Sequence, residues 1–148
     1  MSVVLPDIHC RPEWPFESYA SAWLQFRALT DENRVTADHI LSRSGWPRTL
    51  PNLRMADFGC GDGRLIETLL STVQQPVSTV HLTDINPELL EQASERIKRL
   101  KSVQYVDAVC QSAGDAMLRM ANDIDAALAV HLLYLPGEDE TRRFLTAL

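Results

Sequence analysis

Long apolar runs are missing from this 148-residue chain. The most apolar stretch, Ala126 to Leu135, is about half the length a membrane-spanning helix needs and contains His131, so no membrane association is expected. Positive charge is short as well: 14 Lys and Arg stand against 20 Asp and Glu, a formal net charge of −6. That sign argues against general nucleic-acid binding, which neutralises phosphates with a basic face. Cysteine is represented only by Cys10, Cys60 and Cys110. Without a C-x-x-C pair they suggest neither a zinc site nor a disulfide framework, and reduced thiols in the cytoplasm are the expectation. His9-Cys10 has no partners at ligand spacing, so no metal is implied. Residues 1–15 contain Pro6, Asp7, Pro12 and Pro15 and lack a basic start followed by an apolar run, so they do not read as a signal peptide. Low-complexity tracts and internal repeats are absent. Glycine is scarce too, six in all, yet three of them fall at Gly59, Gly61 and Gly63.

What is present is an alternation of short apolar runs with helical patterns. The length suits one domain with a single core. Phe16, Tyr19, Ala20, Trp23 and Phe26 or Arg27 recur at steps of three and four, which predicts an amphipathic helix. A weaker helical pattern follows from Asp31 to Ser44 through Ala37, Ile40 and Leu41, and Gly45-Trp46-Pro47 to Pro51-Asn52 reads as a connection. Strands are predicted at Leu53–Phe58, Val77–Thr83 and Val103–Val109, with a fourth inside Ile124–Leu135. Helices are predicted at Gly63–Val73, from Asn86 to about Leu100, at Ser112–Met120 and at Asp139–Leu148. Asn86 before Pro87 supplies a cap followed by the residue best tolerated in a first helical turn. Strand–helix alternation implies parallel strands with right-handed crossovers. The expected fold is therefore α/β, an open, doubly wound, mostly parallel sheet preceded by a helical lid.

In such sheets ligands bind beyond the carboxyl ends of the strands, where strand order reverses. The first predicted strand ends at Phe58, so Gly59-Cys60-Gly61-Asp62-Gly63 is the loop at that place. Glycine lets backbone approach a ligand with no Cβ between, and the free N–H groups of the helix that follows are expected to point into the site. Asp84 closes the second strand 21 residues after Gly63, where a carboxylate can accept hydrogen bonds from both hydroxyls of a ribose. Asp57 stands immediately before the loop, on the side suited to the amino-acid end of a cofactor. A nicotinamide or flavin fingerprint, G-x-G-x-x-G, fails because its third glycine falls on Arg64.

Asp57-x-Gly59-x-Gly61-x-Gly63 resembles motif I of class I S-adenosylmethionine-dependent methyltransferases, and Asp84 resembles the acidic residue of their motif II. The resemblance covers roughly residues 53–135 and implies a Rossmann-like sheet, S-adenosylmethionine as cofactor and S-adenosylhomocysteine as product. It implies that Gly59, Cys60, Gly61, Asp62 and Gly63 face the methionine part and Asp84 the ribose. Ile85, beside the adenine, and Asn86 join the cofactor-binding set. Residues after the third strand usually reach the adenine in this family. Cys110-Gln111-Ser112 and Gly114-Asp115-Ala116 compete for that place, and Ser112 is preferred as nearer the strand end. Val130 and His131 fall near the cofactor and the methyl acceptor; His131 is the candidate base, although a histidine in an apolar strand is more often structural. Tyr19 matches loosely the aromatic that small-molecule methyltransferases, such as those resembling the histamine N-methyltransferase group, set over the cofactor. Asp125, at the amino end of the fourth strand, reads as structural.

Residues 1–52 are thus expected to form an arm and lid, and 53–148 the first half of the cofactor-binding fold, truncated after about the fourth strand. Family members usually have seven strands. The run from Ala126 to Val130, apolar on both faces, would then form an edge that needs cover. The chain is read as a fragment, as one completed by a partner chain or a second copy, or as a non-catalytic S-adenosylmethionine-binding or regulatory subunit. The acceptor is expected to be a small molecule.

Overall fold

A computed structural model of the chain describes residues 24–25, 27–43, 46, 49–120, 122–130 and 142. Its centre is β1 (Leu53–Phe58), buried at every position but Arg54. Leu53, Met55, Ala56 and Phe58 give it apolar side chains on both faces, as a strand flanked by others and covered on both sides requires. Parallel to it run β2 (Val77–Asp84), β3 (Val103–Cys110) and β4 (Ala126–Leu128), in the order β3-β2-β1-β4. Helices include α1 (Glu32–Arg43), α2 (Arg64–Leu70), α3 (Pro87–Lys98) and α4 (Ala113–Met120), and residues 24–25 and 27–29 are helical as well. Among the described residues no helix is long and apolar enough to cross a membrane.

The period-two alternation of β1 divides the core. Leu53 and Met55 join Val80, Leu82 and Leu128 under Ile66, Leu69, Leu70, Leu90, Ala93 and Ile97 of α2 and α3. Ala56 and Phe58 face the other way, against Ala113, Ala116, Met117 and Met120 of α4. This division follows from topology. Going from β1 to β2 to β3 the chain steps outward in one direction, so right-handed crossovers put α2 and α3 on one face. To add β4 on the other side of β1 the chain must return, and α4 crosses the opposite face. The reversal point lies between β1 and β4, at the carboxyl end of β1.

Local signals are realised closely. Asn86 takes an extended conformation before α3, and its side chain accepts hydrogen bonds from the amides of Glu88 (3.0 Å) and Leu89 (3.2 Å), with Pro87 next in line. Leu89 and Leu90 are both buried, with Ala93 and Ile97. Asp125 is structural, as its place suggested: it ion-pairs with Arg54 at 3.0 Å, accepts from the Arg54 amide at 2.9 Å, and donates its own amide to the Arg54 carbonyl at 2.7 Å. The fourth strand departs from expectation. It ends at Leu128, and Val130 lies beyond it, because Asp57↔Leu128 is the last pair before β1 gives way to the glycine loop. Within β4 Leu128 is buried while Ala127 is exposed. The first predicted helix with Tyr19, the strand residue His131 and the helix at 139–148 fall outside the described residues, apart from a few positions.

Gly63 joins the two helices on the α2–α3 face. It takes φ +78°, and a Cβ there would lie 2.9 Å from both Cα and Cβ of Ala93 in α3. Backbone cannot move aside as a flexible side chain can. Gly63→Ala is therefore expected to destabilise the chain by about 2–5 kcal/mol, combining left-handed strain with overpacking. Denaturant titration checks this; a loss under about 0.5 kcal/mol, within the range of ordinary surface substitutions, would mean that the helices are not so closely apposed.

Candidate functional site

The loop that follows β1 occupies the reversal point. Gly59 and Gly61, at φ +71° and +54°, turn the chain away from β1 and back toward the end of β2. There the loop is fastened. The amides of Gly59 and Cys60 both donate to the Thr83 carbonyl, at 2.8 and 3.0 Å, and the Gly61 amide donates to Asp84 Oδ2 at 2.8 Å. The Gly63 amide donates to the Cys60 carbonyl at 3.0 Å, and that of Arg64 to Asp62 Oδ1 at 3.4 Å.

The amides of the loop itself are mostly turned inward. Four of the five loop amides, and that of Arg64, are used inside the protein, because β2 ends beside the loop and offers acceptors there. A phosphate-binding loop needs such amides to converge on the ligand. Here the prominent groups at the carboxyl ends of the strands are carboxylates, a set suited to hydroxyl donors and to positive charge.

Asp57 is only 3% exposed. Burial, and next the nearby charge of Asp84, push its carboxyl up to about 7. Asp84 is also raised by burial, a shift opposed by the amides of Asn86, Gly61 and Ile85. Its Oδ1 accepts from the Asn86 amide at 2.8 Å, so both oxygens are held by backbone donors. Among the described residues neither Asp57 nor Asp84 has an ion-pair partner. Asp62 differs: it is buried but pairs with Arg64 Nε at 2.9 Å. The Cys60 thiol is pushed well up, by burial first and by the Asp57 and Asp84 charges next, which leaves it a small buried filler and not a nucleophile.

The other sequence-derived candidates divide into two groups. Ile85 and Asn86 follow Asp84 directly; Asn86 is buried, caps α3 and orients Asp84 through its amide. Ser112 lies just after β3, whose last residue, Cys110, pairs with Asp84. Ser112 and Asp115, considered as alternatives in the sequence, form one cap: Ser112 Oγ donates to Asp115 Oδ2 at 3.0 Å and accepts from the Asp115 amide at 3.2 Å. Val130 is partly buried past the end of β4. Tyr19 and His131 lie outside the described residues. Sequence reasoning missed the Thr83 carbonyl, an ordinary backbone acceptor that carries no sequence signal, and Arg96, which reaches the loop from α3.

Comparison with known proteins bears on this arrangement. A family model described as "Methyltransferase domain" matches residues 55–148. No curated protein matches the chain. Among solved structures, the plantazolicin methyltransferase BamL, in complex with a triazolic desmethylPZN analog and SAH, is similar with a TM-score of 0.52 and 15% identity. The match covers 90% of this chain and 48% of that one, so the chain spans about half the length of BamL. At that identity the likeness is one of fold: a parallel, doubly wound, Rossmann-like sheet.

The buried carboxyl of Asp57 ties stability to pH. With its folded value at about 7 and its ordinary value at 3.8, the stabilising contribution of the neutral form is complete below about 4 and is lost as pH rises through 7. The cost of the buried charge at pH 8 is on the order of 4 kcal/mol at most. Asp57→Asn is therefore expected to gain stability over the native chain at pH 8, with the gap closing toward pH 4. Unfolding curves across that range test it, and a gap independent of pH would show that Asp57 ionises normally.

Proposed function

The chain belongs to the methyltransferase-domain family, and from that premise we propose that it binds S-adenosylmethionine at the glycine loop and transfers the methyl group to a nucleophilic N, O, S or C atom of a small molecule. The observation that carries this reading is the pairing of inward-turned loop amides with two buried carboxylates, Asp57 and Asp84, that lack a cation among the described residues. Bound at such a site, S-adenosylmethionine supplies a sulfonium-activated methyl and positive charge. A dinucleotide brings a pyrophosphate that these residues are poorly arranged to receive.

In this reading Asp84 receives the ribose hydroxyls. The Gly61 and Asn86 amides each occupy one lone pair of its oxygens, so they orient the carboxylate and leave acceptor capacity on both. Asp57 lends negative potential toward the cationic part of the cofactor. Gly59, Cys60, Gly61, Asp62 and Gly63 form the wall beside the methionine portion, with Gly63 also serving the helix contact. Ile85 and Ser112 border the adenine, and Asn86 acts through Asp84. Val130 and His131 lead toward the acceptor and Tyr19 covers the cofactor, in the scheme that the sequence resemblance implies. The protein's share of the reaction is then mainly positioning, since holding acceptor and methyl in line removes much of the entropic barrier. A base such as His131 is required only for an acceptor that arrives protonated. A cytoplasmic location fits the free thiols of Cys60 and Cys110. Among the described strands β4 stands at one end of the sheet, and cover of its outer edge by further backbone, from a second copy or a partner chain, would also complete the acceptor pocket.

Calorimetry tests the cofactor. S-adenosylmethionine and S-adenosylhomocysteine are expected to bind and NADH is not; binding of NADH with no response to S-adenosylhomocysteine would overturn the reading. Asp84→Ala is expected to weaken cofactor binding by about 2–4 kcal/mol, roughly 30- to 800-fold, through two charge-assisted hydrogen bonds. An affinity within about twofold of the native chain, under roughly 0.5 kcal/mol, would put the ribose elsewhere. Sedimentation at low micromolar concentration addresses the edge. Self-association, or an activity that appears only with a partner, is expected, and a fully active monomer would show that β4 needs no cover.

A further inference from the structure

The first part of the glycine loop is fastened to β2 through Thr83 and Asp84, but Asp62 lies beyond those anchors. Arg96, near the end of α3, reaches it. Its Nε donates to the Asp62 carbonyl at 3.0 Å, and its Nη1 pairs with Glu67 Oε2 of α2 at 3.0 Å. Arg96 stands one turn after Ala93, the residue against which Gly63 packs, so both contacts come from one face of α3. The Asp62 side chain is meanwhile held by Arg64 at 2.9 Å. We propose that Arg96 is a positioning residue for the cofactor: by holding the Asp62 carbonyl while braced on Glu67, it fixes the second half of the glycine loop and so sets cofactor affinity without touching the cofactor. The affinity part rests on the reading that this loop holds S-adenosylmethionine.

Two features separate this role from general support of the fold. Arg96 and Glu67 have 30% and 37% of their side-chain surface exposed, so the ion pair by itself contributes little to stability. The guanidinium, in contrast, directs two N–H bonds at once in fixed planar geometry, and a lysine ammonium reproduces the charge but not the fork. Loss of Arg96 therefore leaves the core and the Thr83 and Asp84 anchors intact and loosens the loop at Asp62, between two glycines that restrain it weakly.

The test uses the full chain with Arg96→Ala, Arg96→Lys and Glu67→Gln. Two measurements are made well below each variant's melting temperature: calorimetric affinity for S-adenosylhomocysteine, and hydrogen exchange of peptides covering residues 59–64 without ligand. Arg96→Ala is expected to bind about tenfold more weakly, the scale of one charge-assisted hydrogen bond, with faster exchange confined to the loop. Arg96→Lys is expected to recover part of both, and Glu67→Gln to fall between Arg96→Ala and the native chain. Native affinity and native loop exchange in Arg96→Ala overturn the proposal. So does faster exchange across the whole sheet with a matching fall in melting temperature, the mark of a purely structural residue. If Arg96→Ala does not fold, the same readouts on Arg96→Lys and Glu67→Gln decide. A native chain that ignores S-adenosylhomocysteine overturns the functional reading and the affinity part together, while loop exchange still decides whether Arg96 holds the loop.

Discussion

A single carbonyl, that of Thr83, accepts hydrogen bonds from two consecutive loop amides, Gly59 and Cys60. It lies at the end of β2, where a parallel strand has run past its neighbour and has an acceptor to spare. Capturing both amides bends the chain leaving β1 across the top of β2. That places the Gly61 amide against the Asp84 carboxylate and sends the chain on to Gly63, where α2 begins. The separation of donors from acceptors at the site follows from this contact. Backbone N–H groups are drawn down onto the sheet, and negative oxygens are left as the prominent groups. Were the loop to stand free of Thr83, the same sequence would offer amides outward and favour a different class of ligand.

The cost of this arrangement falls on Asp57. It is buried in the middle of the sheet next to a second carboxylate, a position in which most proteins place an apolar residue or supply a counter-ion. Tolerating it weakens the native state progressively as pH rises from about 4 through 7. A pair of carboxylates given no cation by the described residues is one with which a bound cation would interact strongly, so the energetic deficit and the binding potential would have one origin. Departures from local consistency of this kind concentrate where function constrains the chain.

Much of this was legible from residue order. The β1 run, the Asn86-Pro87 cap, the apolar stripe of α3 and the acidic residue closing β2 are local signals, each fixed within one or two turns of chain. They gave the element types and most boundaries to within a few residues. The glycine spacing located the loop, but not which way its amides face, because that depends on where a different strand stops. The length of β4 was overestimated for a related reason. Its apolar run continues, yet its pairing stops at Asp57↔Leu128, one residue short of the end of β1. Arg96 was invisible because nothing in an arginine late in an amphipathic helix distinguishes a loop brace from a solvated charge. Ser112 and Asp115 read as rivals in the sequence, whereas a serine three residues before an acid at a helix start is also a capping pair.

The pairing of β4 with β1 has a consequence for how the chain matures. β1, β2 and β3 are laid down in spatial order, each beside the last, so their contacts form between neighbours in sequence. The other edge of β1 must wait for a strand whose anchoring pair, Arg54 with Asp125, spans 71 residues. As the chain emerges from the ribosome, β1 therefore spends the synthesis of two further strands and three helices with one hydrogen-bonding edge bare and its most apolar segment half covered. That interval is when such an edge is open to wrong partners. The Asp125 clasp, three bonds from one arginine to its carboxylate and a backbone bond back to the same residue, fixes the entry of the late strand against β1, where a one-residue slip would turn its apolar side chains to the other face.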